Sequence, residues 1–85
     1  MARFIIERNF AEQHDLTKDR AAEIKLINDD EGVQWIFSFL SADKKKTYCL
    51  YEAPDMESIR AAARRTNLPA DVIIEVTEVN PAMFA

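Results

Sequence analysis

Two stretches whose apolar residues recur at helical spacing each lie between stretches of β-favouring residues, and the two strand-helix-strand units meet at one short polar segment. In the first unit, Arg3-Phe4-Ile5-Ile6-Glu7-Arg8 sets β-favouring residues between charges and reads as a strand, while Asn9 to Asp15 is rich in turn formers and reads as a loop. Leu16, Ala21, Ile24 and Ile27 then recur at helical spacing, with Thr17 or Asp15 as cap. The run Asn28-Asp29-Asp30-Glu31-Gly32 is expected to end that helix: acids oppose the negative end of the dipole, and Gly32 is the one glycine available for a left-handed turn. From Val33 to Leu40 the alternation sets Val33, Trp35, Phe37 and Phe39 on one face and Gln34, Ile36, Ser38 and Leu40 on the other.

Ser41 to Lys46 has hairpin length, with lysines that read as solubilising, and Thr47-Tyr48-Cys49-Leu50-Tyr51-Glu52 follows as the third strand. Pro54 stops it and Asp55 caps a second helix, with Glu57 near its positive end. Met56, Ile59, Ala62, Ala63 and Thr66 form that helix's buried stripe, and Arg60, Arg64 and Arg65 lie on or near its wet face. Asn67-Leu68-Pro69 closes it, because Asn tolerates the left-handed conformation and Pro forbids continuation. Val72 to Val79 reads as a fourth strand, before a short apolar tail from Asn80 to Ala85. The order predicts one domain over residues 1–85: an α+β, ferredoxin-like β-α-β-β-α-β sandwich with a four-stranded antiparallel sheet and two helices on one face.

Composition narrows the partners. A net charge of −4 argues against nucleic acid, and no apolar run approaches the ~20 residues needed to span a bilayer. The single cysteine excludes an intrachain disulfide, and the N-terminus lacks a secretory pattern, so a cytoplasmic location is expected. Two helices cover only one face of such a sheet, yet the second strand is apolar on both parities and Ile5 and Ile6 sit side by side. A second apolar face on so small a protein predicts a homodimer.

The segments Thr47-Tyr48-Cys49-Leu50-Tyr51-Glu52-Ala53-Pro54-Asp55, Ile59-Arg60, Ala62-Ala63, Leu68-Pro69-Ala70-Asp71 and Ile74-Glu75-Val76 resemble the small bacterial proteins grouped as domain-of-unknown-function family 4242. Arg3 to Arg8 and Val33-Gln34-Trp35 are also similar, so the resemblance covers nearly the whole chain. It implies a ferredoxin-like dimer, and some members are described as nickel-binding or nickel-responsive. Two departures bear on metal: similar proteins often carry a His near where Ala61 to Ala63 stand, and a Gly where Asn67 stands.

Nickel favours imidazole and thiolate ligands, and this chain has one of each, His14 and Cys49, with no chelating pair. His14 is the candidate imidazole ligand, although a lone histidine is more commonly an exposed loop residue. Glu7, Glu52 and Glu75 each follow an apolar residue two positions earlier, so aligned register would gather them into an acidic metal site. The alternative, that they face solvent at strand ends, accords with the rarity of buried glutamate. Trp35, Tyr48 and Tyr51 are candidate walls of a small-ligand pocket, or else core or dimer contacts. Cys49, between aromatics in mid-strand, reads as a small apolar residue rather than a nucleophile. There is no Gly-rich phosphate loop, Ser-His-Asp set or zinc motif. These features favour a non-enzymatic protein binding a divalent metal of the nickel type or a small ligand. The alternatives are a small dimeric barrel-type enzyme with a pocket between sheet and helices, and a structural interaction module.

Overall fold

The computed structural model describes residues 1–12 and 16–85. Its elements run β1 (Ala2–Asn9), α1 (Lys18–Asp30), β2 (Gln34–Leu40), β3 (Lys46–Ala53), α2 (Met56–Thr66), β4 (Val72–Val76) and a 3₁₀ turn (Pro81–Phe84). The strands form one antiparallel sheet in the order β2-β3-β1-β4, the split βαβ arrangement that the element order predicts.

Directly opposed residues of paired strands point to the same side of a sheet. Phe4 faces Tyr51 and Ile6 faces Cys49 across the β1/β3 pair, and these residues share one core with Ile59 and Ala62 of α2. Ile24 of α1 is buried as well. Phe4, Ile6 and Ile59 are fully enclosed, and burial of each contributes about 1.5–3 kcal/mol. The opposite parity carries Arg3, Ile5 and Glu7 on β1 and Tyr48, Leu50 and Glu52 on β3, on the face away from the helices.

The strand β2 departs from the simple alternation. Trp35 pairs with Tyr51 but Phe37 pairs with Leu50, so Ile36 is an extra residue that makes a bulge. Val33, Trp35, Ser38 and Leu40 therefore belong to the helix side, whereas Phe37 and Phe39 lie on the open face. Sequence parity alone places Val33, Trp35, Phe37 and Phe39 together, because a bulge adds one residue without leaving a mark on the alternation.

Both helices end where local chemistry allows. Asp55 Oδ1 accepts the Ser58 backbone N–H at 2.8 Å, and Asn67 adopts the left-handed conformation at φ 57°. Leu68 N–H donates to Ala63 O at 3.1 Å and Asn67 N–H to Arg64 O at 3.3 Å, the paired bonds of a Schellman closure. Thr17 caps α1, accepting Arg20 N–H at 3.2 Å. The helix continues through Asp30 despite its acidic end. Lys25 Nζ meets Asp29 at 2.8 Å, and Arg65 Nη1 reaches from α2 to Asp30 at 2.6 Å and Glu31 at 3.0 Å, so these cations offset the dipole penalty. Gly32 makes the expected left-handed turn at φ 72°. The strand β4 stops at Val76, short of Val79: Val76 pairs with Arg3, and β1 has only Ala2 beyond it.

Candidate functional site

The strands present more than apolar residues to the helices. The helix-side parity of β1 is Ala2, Phe4, Ile6, Arg8, so its last member is a guanidinium with only 4% of its surface exposed. Beside it lies a cavity of about 180 Å³ between sheet and helices. Trp35 and Ser38 of β2 and Thr47, Cys49 and Tyr51 of β3 line its sheet side; Ile24 of α1 and Leu68 after α2 line the other.

One end of this cavity is polar. Arg8 Nη1 donates to Pro69 O at 2.6 Å, and its Nη2 donates to the Tyr51 hydroxyl at 3.4 Å. Trp35 Nε1 donates to Ser38 Oγ at 2.8 Å, which fixes the indole against the wall. The Cys49 thiol donates to Thr47 Oγ1 at 3.6 Å, so it is a packed, hydrogen-bonded group. Burial pushes the Tyr51 phenol up, and the Arg8 guanidinium works in the opposite direction. Asn28, on α1, also lies close enough to favour the ionised phenol, yet its buried Nδ2 meets no partner with hydrogen-bond geometry among the described residues.

Of the three aromatic candidates, Trp35 and Tyr51 line this cavity together. Tyr48 does not: it points to the open face, where Lys46 Nζ sits 5.7 Å from its ring centroid. The glutamates are likewise separated. Glu7 and Glu52 share the open face but lie four residues apart in register, since Glu52 pairs with Arg3 and Glu7 with Tyr48. At strand spacing that is about 13 Å. Each has its own cation, Lys46 at 3.4 Å from Glu7 and Arg3 at 3.1 Å from Glu52. The Glu7 carboxylate in turn holds the Lys46 ammonium above its ordinary range. Glu75 pairs with Phe4 and so belongs to the other parity. His14 lies outside the described residues. Among the described residues, no group of three His, Cys, Asp or Glu side chains is placed to hold a metal ion. These donors do not fit a nickel centre.

Sequence reading missed Arg8 as a site residue and treated it as a charge framing the first strand. The available signal was its parity with Phe4 and Ile6.

Fold and site together define a small α+β protein with one covered sheet face, one open apolar face and a half-open cavity between sheet and helices. The chain belongs to the SCO4226-like family of nickel-responsive proteins, whose description matches over residues 4–76, from β1 to the end of β4. This is a small nickel-related family of the kind the sequence motifs suggest, under a different name from family 4242. The crystal structure of SCO4226 from Streptomyces coelicolor A3(2) is similar to this chain with a TM-score of 0.69 at 24% identity, covering 93% of this chain and 100% of that one. At that identity the likeness supports the fold. No curated protein matches the chain.

Proposed function

We propose that this chain is a non-enzymatic small-ligand-binding protein that holds its ligand in the cavity between sheet and helices and works as a homodimer. The observation that carries the reading is the pairing of a half-open, largely apolar cavity with convergent polar groups, Arg8 and the Tyr51 hydroxyl at one end and Ser38 on the wall. The cavity lies on the helix side, so a partner on the open face leaves it intact. That open face supports the dimer: Phe37 and Phe39 are 48% and 66% exposed and meet edge to face, with Ile74 at 55% on β4. Clustered exposed apolar side chains of this kind mark interaction surfaces. A fluorescence titration tests the ligand reading, because Trp35 is the chain's one tryptophan and lies in the cavity wall. A set of single-ring compounds that leaves its emission unchanged at millimolar concentration refutes it.

The family description supports a second reading, a divalent-metal binder of the nickel type. Since Glu7, Glu52 and Glu75 are dispersed, such a site would draw on His14 and on donors from two copies. Calorimetry with nickel, zinc and cobalt on tag-free protein decides it. Affinities no tighter than ~100 μM, about 5.5 kcal/mol of binding free energy, reject this reading.

A further inference from the structure

We propose that the cavity ligand is a small organic anion, a single-ring or short-chain carboxylic acid, whose carboxylate is bound by Arg8; this rests on the cavity being the binding site. Arg8 is buried, yet among the described residues no carboxylate pairs with it. Its partners are both neutral, the Pro69 carbonyl and the Tyr51 phenol. A guanidinium carries five N–H donors in a fixed fork, so these two bonds leave donors in hand. A buried cation with only neutral partners carries a desolvation cost that an anion offsets, and a carboxylate matches the fork in shape as well as charge.

The rest of the cavity describes the body of the ligand. The side chains of Trp35, Ile24, Leu68 and Leu40 supply apolar walls, which disfavours a fully hydrated inorganic ion. The volume of about 180 Å³ is of the order of the ~150 Å³ apolar cavity known to accept benzene, so it matches a single ring. Among the described residues no acidic side chain lines the cavity, and Arg8 is the one full charge there. The site therefore discriminates between an acid and a neutral molecule of the same shape.

The test is a titration of the full chain with benzoate and, separately, with benzyl alcohol, read by Trp35 fluorescence and by calorimetry. Benzoate is expected to bind at least about tenfold more tightly than the alcohol, as for a charge-assisted bond gained at one site. In Arg8→Met that gap is expected to vanish while the alcohol still binds. Equal affinities in the unmodified protein overturn the anion assignment and leave the cavity reading standing; absence of binding by both at millimolar concentration overturns the two together. Because Arg8 also secures the Pro69 carbonyl, Arg8→Met is paired with Leu40→Trp, which fills the half-exposed rim of the cavity. Calorimetry on Leu40→Trp is expected to show loss of both compounds. Retention of benzoate there places the acid outside the cavity and overturns the proposal.

Discussion

The guanidinium of Arg8 engages Tyr51 twice, donating to its hydroxyl at 3.4 Å while its central carbon lies 5.8 Å from the ring centroid. Tyr51 is the cation's acceptor and part of its apolar surroundings at once. Replacing it with Phe keeps the ring and removes the acceptor, at a cost of about 1 kcal/mol at neutral pH. Alkali sharpens the effect. Burial raises the phenol above its ordinary value of 10.0. The neutral phenol's contribution is therefore fully present below about pH 10, and it is lost as pH rises toward the folded value, because the unfolded chain sheds the proton first. Urea denaturation at neutral pH and above pH 10 is expected to show a smaller alkaline loss for Tyr51→Phe than for the parent.

Asp55 gives the opposite pH signature. Its carboxyl is held below the ordinary 3.8 by the Ser58 backbone N–H and hydroxyl. Stability from this cap is present above the unfolded carboxyl's pKa and is lost as pH falls through the folded one. Asp55→Ala is expected to lower the melting temperature at neutral pH, while Asp55→Asn keeps a cap and loses the acid dependence. Thermal denaturation at neutral pH and near pH 3 separates the two variants.

Ile36 is the extra residue of the β2 bulge, so its deletion leaves Trp35 opposite Tyr51 and Phe37 opposite Leu50. The deletion is expected to fold, with a far-UV spectrum like the parent's. Deletion of Leu50 from the interior strand β3 reverses the parity of every residue on one side of the cut and is expected to abolish cooperative melting.

Phe39→Glu places a charge in the middle of the open apolar face. Light scattering is expected to report twice the 9.8 kDa chain mass for the parent and a single chain for the variant. The variant's response to benzoate should be unchanged, since Phe39 faces away from the cavity. A parent that is monomeric at every concentration refutes the dimer.

Local chemistry made the element order legible in the sequence. Asp55, Gly32 and Asn67 act within a few residues of themselves, and each does in the fold what its residue type predicts. The site was legible only in part, because it depends on register. Trp35 and Tyr51 come together through one cross-strand pair. Tyr48, one parity step from Cys49, is lost to the other face, and Glu75 parts from Glu7 and Glu52 through the β1/β4 alignment. The bulge at Ile36 is a single unpaired residue that alternation cannot reveal. Arg8 was visible by its parity, but a charged residue at a strand end is ordinarily read as solvated.

The helix α1 buries only Ile24 and Asn28, and much of its attachment to α2 is ionic or polar, through Arg65 to Asp30 and Glu31 and through Arg20 to the Thr66 carbonyl. An element secured this way is expected to give up its amide protons to deuterium ahead of the sheet, whose central strands are paired on both sides and packed beneath α2. Concentrated salt loosens it further, because exposed charge pairs are screened while apolar packing is not. Since Ile24 contributes to the cavity wall, loosening of α1 would alter that wall while the β1/β3 pairing on its sheet side stays in place.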